Sequence, residues 1–192
     1  MENRQERNLY TVVYLFNTFC HMKLIAAVLS FTLFCAFVVK EPLTGSKVSA
    51  EDAKKALEIH NAARKKVGVP ALQWSPELAR YAQAWAEELA ATKCDLDHRP
   101  KSGKWKQLYG ENLYWSSDAA TVMDACNSWM EEQKDFKNKP VVSGDKGTGH
   151  YSQMIWSTTT KLGMGLAACK DGSVIVVANY DPPGNYIGKK AY

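Results

Sequence analysis

GTGHYSQMIWSTTTKLGMG, residues 147–165, places His150 after a pair of glycines, Gly147 and Gly149, and before Tyr151, Met154, Ile155 and Trp156, whose spacing suits a short buried helix. A ring that ionises near neutral pH is costly to enclose unless a partner hydrogen-bonds it or it coordinates something. The partners of His150 therefore decide what this segment does. Downstream, LGMGLAAC, KDGS and VIVVANY read as strand, Asp-Gly turn and strand.

Upstream the text is helical. From Glu51, Leu57, Ala63 and Val67 recur at helical spacing until the glycine and proline of VGVPAL stop them. In SPELARYAQAWAEELAATK, Ser75 is an N-cap, Pro76 takes the first helical position, and Leu78, Tyr81, Ala82, Trp85 and Leu89 share a face. A polar loop over 94–107 leads to LYGENLYW, with a further strand expected near residues 110–114, and DAATVMDACNSWMEEQKDF reads as a third helix. Helices followed by a hairpin imply an α+β layered domain.

The third helix contains an anomaly. At about 100° per residue, Val122, Ala125, Cys126 and Trp129 form the buried stripe, and Glu132 falls on its flank while Glu131 points away. An inward carboxylate needs partners. Glu111, in YGENLYW, is a second such carboxylate among apolar neighbours, and His98 and His150 both lie in loops or at a helix start. Each has a plainer reading: a lone histidine is more often a surface or hydrogen-bonded residue, Glu111 could cap a turn, and Glu132 could pair with Lys134 or Lys137. Spacing alone stops at a candidate two-His, two-Glu cleft.

Other chemistries lack their sequences. There is no HExxH, CxxC, GxSxG or N-x-S/T, and GDKGTG has neither the Gly-Lys-Ser/Thr nor the preceding strand of a phosphate loop. The chain has 192 residues and a net charge of +4, with basic residues scattered among acidic ones, which argues against a nucleic-acid partner. At the N-terminus a lysine precedes the apolar residues 24–39, a run shorter than the about twenty residues of a membrane span. It suits the core of a signal peptide, with small residues at candidate cleavage sites after Ser46 and Ala50. Residues 1–50 are thus expected to be an extension and signal peptide, residues 51–192 the domain, and the protein extracellular; the alternative is an uncleaved membrane anchor.

Four motifs carry a family resemblance. GTGHYSQMIW resembles the GHYxQxxW signature of the CAP superfamily (cysteine-rich secretory proteins, antigen 5 and pathogenesis-related proteins), through Gly149, His150, Tyr151, Gln153 and Trp156. VANYDPPGNYIG is similar to its second signature, through Asn179, Tyr180, Asp181, Pro182, Gly184, Asn185 and Tyr186, and HNAARKKVGVPALQW and YGENLYW resemble its two N-terminal landmarks. The plant pathogenesis-related and Golgi-associated branches are the most similar. The resemblance implies an α-β-α sandwich around a central antiparallel sheet, with an open cleft holding His98, Glu111, Glu132 and His150. His60 also matches a landmark, but as a first-helix residue it is read as a packing and hydrogen-bonding one.

For function, the resemblance implies a secreted, non-enzymatic protein of defence or host-interaction type that binds lipid or sterol, with a membrane surface as a further candidate partner and a Golgi-associated location as the alternative to secretion beside the membrane anchor. Two imidazoles suit zinc or a similar divalent cation, so His98 and His150 are the expected metal ligands, with the glutamates orienting them and no cofactor needed for folding. The alternative is a metal-assisted hydrolase or protease using the same four residues. Two ligands are, however, fewer than the three usual in catalytic zinc sites. The chain also departs from the secreted plant members, which carry cysteine at the positions of Thr148, Met164 and Ala178. Cys94, Cys126 and Cys169 remain after Glu51, an odd number that allows at most one bridge. They are expected not to support the fold as the relatives' bridges do.

Overall fold

The computed structural model describes residues 44–143 and 147–192; the apolar run 24–39, and with it the signal-peptide expectation, lies outside them. In chain order come α1 (Ala50–Val67), β1 (Gln73–Trp74), α2 (Pro76–Ala91), β2 (Gly110–Ser116), α3 (Val122–Glu131), a 3-10 turn (Glu132–Lys134), α4 (Gly149–Met154), β3 (Lys161–Ala168) and β4 (Val174–Asp181). Among the described residues no helix is long and apolar enough to cross a membrane.

Local chemistry sets the helix ends. Ser49 Oγ accepts from the N–H of Asp52 to start α1, and Gly68, at φ 77°, ends it. Ser75 caps α2, with Pro76 in its first turn. Thr121 and Asp124 form a reciprocal capping box at the head of α3. That box makes the third helix shorter than its periodicity suggests: residues 118–121 lead into it, and beyond Glu131 the chain tightens into the 3-10 turn.

The sheet runs β1-β3-β4-β2, with β4 antiparallel to both β3 and β2. It is not wholly antiparallel: the two-residue β1, absent from the sequence reading, pairs parallel with β3 at the edge. β1 lies between α1 and α2, and the direction in which the chain crosses from one helical layer to the other sets its sense. On one face α2 packs against Leu113, Ala167, Ile175 and Val177. On the other, α1, α3 and α4 pack against Leu162, Met164, Val176, Ala178 and Tyr180. This is the expected three-layer α-β-α arrangement. The glycines of LGMG let α2 come close: a Cβ at Gly163 would sit 2.2 Å from the backbone of Ala79, and one at Gly165 2.4 Å from that of Gln83.

Two buried polar residues of α1 tie these layers together. His60, fully buried, donates from Nδ1 to the Ala56 carbonyl (2.8 Å) and accepts at Nε2 from the Tyr180 hydroxyl (2.9 Å). Arg64, also fully buried, spends its guanidinium on the carbonyls of Pro70, Met154, Trp156 and Thr159. It thereby fastens the turn after α4, with no carboxylate involved.

The three cysteines after Glu51 admit at most one bridge, and one forms. Cys94 and Cys169 form a disulfide, with Cα atoms 5.9 Å apart. The loop after α2 and the end of β3 lie on the same side of the sheet, which brings the two thiols together although 75 residues separate them. Cys126 is left free and fully buried in the other layer, packing as a small apolar group.

Candidate functional site

The site forms where β2 starts and β4 ends. Side chains alternate across a strand, so adjacent β2 residues serve opposite layers. Glu111 faces the α2 layer, its side chain fully enclosed, while Asn112 faces the layer of α1, α3 and α4. The two halves of the site hang from these neighbours.

On the α2 side, Glu111 Oε1 accepts from His98 Nδ1–H (2.9 Å) and from the backbone N–H of Arg99 (3.0 Å), and its Oε2 accepts from Asn179 Nδ2–H (3.3 Å). On the other side, Glu132 Oε1 accepts from His150 Nδ1–H (2.6 Å), and its Oε2 accepts from the Tyr151 N–H (2.9 Å). The His150 ring stacks on Trp129, with ring centroids 5.9 Å apart and planes 21° apart. Asn112 Nδ2–H donates to the His150 carbonyl at 3.1 Å and to the Tyr180 hydroxyl at 3.2 Å, joining this half to β2 and to His60. Glu131 points to solvent beside Lys134.

A carboxylate only accepts, so in each pair the neutral imidazole carries its proton on Nδ1 and keeps the lone pair on Nε2. Both rings remain partly exposed, with side-chain accessibilities of 54% for His98 and 39% for His150. The arrangement is two separate His–Glu pairs; among the described residues no hydrogen bond joins one pair directly to the other. A cleft of about 550 Å³ opens beside His98 and Glu111, bordered by Lys101, Gln107, Leu108 and Asn185. A second hollow of about 620 Å³ lies beside Phe136, Lys139 and Thr148, and it too reaches Asn185.

Each Nε2 lone pair, with a glutamate fixing its ring from behind, is a donor of the kind a cation takes. Among the described residues, the grouping of three or more potential ligand atoms within 4.8 Å of one another is Cys94, Cys169 and Asp171, and both of its sulfurs are spent in the disulfide.

Most of the signature residues are scaffold. Gln153 accepts from the Gly184 N–H and, through Nε2, donates to Thr159, whose hydroxyl donates to the Pro182 carbonyl. Asn185 bonds Ser152 and the Gly149 carbonyl, Tyr186 packs on Trp156, and Asp181 lies 3.9 Å from Lys161. Sequence reasoning missed Asn112 and Arg99. The first lay in plain view inside GEN, and its role follows from strand alternation; the second gave no signal among the other bases of its loop.

With this geometry in view, the chain belongs to the cysteine-rich secretory protein (CAP) family, whose model matches residues 57–180. It is 36% identical to pathogenesis-related protein 1 of Arabidopsis thaliana, over 85% of this chain and all of that protein. It is 38% identical to the Golgi-associated plant pathogenesis-related protein 1 of Homo sapiens, over 76% of this chain and 92% of that one. Among solved structures, that of NaASP2 with Zn2+ matches with a TM-score of 0.65 and 27% identity, over 76% of this chain and 86% of that one. BmVAL-1, at 24% identity and TM-score 0.65, shares the fold.

Proposed function

We propose that this domain is a non-enzymatic binding protein of defence or host-interaction type, acting outside the cell, and that it takes a divalent cation, best zinc, at His98 and His150. One observation carries the cation reading: each histidine donates its Nδ1–H to a glutamate and keeps the Nε2 lone pair on a partly exposed ring. A carboxylate behind an imidazole fixes tautomer and orientation in the way zinc sites use. The Zn2+ in the related NaASP2 structure supports the choice of metal. Bound there, the ion would polarise a ligand oxygen. Two protein nitrogens without a third favour binding over turnover.

A lipid or sterol ligand is part of the same proposal through the family resemblance, with Leu108, Tyr109 and Pro183 as the apolar members of the cleft wall. Calorimetric titration with zinc tests the cation. His98→Ala and His150→Ala should each abolish binding while the fold is kept. Glu111→Gln and Glu132→Gln should weaken it roughly ten- to a hundredfold, and Glu131→Gln should leave it unchanged. Zinc binding that survives loss of both histidines overturns the reading.

A further inference from the structure

Arg99 follows His98 and is only 4% exposed, an unusual place for a guanidinium. Its Cζ lies 3.7 Å from the centre of the Tyr81 ring, 5.2 Å from that of Trp85 and 5.1 Å from that of Trp105. Nη2–H donates to the Tyr81 carbonyl at 2.6 Å. Nε has no hydrogen-bond partner and sits 3.8 Å from Glu111 Oε2. Arg64, the other buried arginine named above, spends its donors on carbonyls and touches no carboxylate. Arg99 instead holds its charge, with its buried Nε–H unpaired, against the glutamate that holds His98. Three aromatic faces hold the cation in one place, and Tyr81, which periodicity assigns to the apolar stripe of α2, is one of them.

We propose that Arg99 is a positioning residue of the site: its caged guanidinium fixes the Glu111 carboxylate so that Oε1 accepts from the His98 Nδ1–H and the lone pair stays on Nε2. Backbone and side chain act together, since the Arg99 N–H holds Oε1 while the guanidinium faces Oε2. A lysine offers neither the planar stack nor the side-on Nε. Only the metal arm of the test rests on the zinc reading above.

The experiment uses the full chain and its Arg99→Met, Glu111→Gln and double variants. Imidazole 15N shifts, recorded without metal, report the His98 tautomer. The wild type should show Nδ1–H alone, and Arg99→Met a mixture, with His150 unchanged as internal control. In zinc titration, Arg99→Met should weaken binding roughly ten- to a hundredfold with Glu at position 111 and have no further effect with Gln there. An unchanged His98 tautomer in Arg99→Met overturns the proposal, as does an equal loss of zinc affinity in both backgrounds. If the wild type binds no zinc, the cation reading falls and the tautomer measurement alone decides the role of Arg99. If Arg99→Met does not fold, Trp105→Leu opens the cage from its partly exposed side; it should also mix the tautomers, and an unchanged ratio there is equally decisive against the proposal.

Discussion

His60 shows how one buried side chain makes the whole fold sensitive to acid. Burial, followed by the nearby Arg64 charge, pushes its pKa down to about 4, although the bond to the Ala56 carbonyl pulls the other way. Its Nε2 must stay unprotonated to accept from Tyr180, while Cys126 Sγ lies 3.8 Å from Nδ1. The unfolded chain therefore binds a proton on this residue at a higher pH than the folded one does. Stability should be full above about pH 6.5 and fall as pH drops towards 4, by roughly 2–4 kcal/mol from this group. Urea denaturation between pH 7 and pH 4 checks the slope. His60→Gln should lower stability at pH 7 and flatten the dependence over that window; an equally steep variant would locate the acid sensitivity elsewhere. The environment of His60 was legible from its place on an amphipathic helix. Its partner Tyr180, 120 residues away, was not, because nothing local to either residue encodes a contact made through the sheet.

At the scale of elements, periodicity read α3 well where the helix is regular: the stripe Val122, Ala125, Cys126 and Trp129 is buried, and the phase that separates Glu132 from Glu131 carries on through the 3-10 turn. It read the start of the domain less well, because residues 44–49 follow no repeat. Thr44, Ser46 and Val48 are buried, the Trp74 indole N–H donates to the Thr44 carbonyl, and the Lys47 N–H donates to Gln83. Both cleavage sites expected from small residues, after Ser46 and after Ala50, would remove part of this packing. The chain that functions should therefore retain Thr44. A chain beginning at Glu51 should be about 3 kcal/mol less stable than one beginning at Pro42, from the loss of the Val48 side chain, the indole bond and the Ser49 cap. Thermal melts of the two chains test this: melting temperatures within two degrees of each other would show that the segment is dispensable.

Across the described domain, the disulfide and the two His–Glu pairs lie near opposite ends of one strand. β4 begins at Val174, beside the hairpin where Cys169 meets Cys94, and ends at Asp181, beside the two His–Glu pairs. Over seven steps of strand those ends lie about 20 Å apart. The layered fold was legible because amphipathic helices and a hairpin leave few ways to bury their apolar faces. The surviving bridge was not, since three cysteines admit more than one pairing and only the shared α2-side face selects Cys94 and Cys169 over Cys126. Closing a loop of 75 residues should stabilise the fold by about 2–4 kcal/mol. Cys94→Ala combined with Cys169→Ala, or mild reduction of the wild type, should lower the urea midpoint accordingly. The bridge shares the α2 face and the loop over 94–99 with His98, so it is the His150–Glu132 pair, on the other face, that should keep its geometry unchanged. A reduced protein that keeps its stability would show the bridge to be ornamental, and one whose His150 tautomer changes along with stability would show that the sheet does not insulate its two faces.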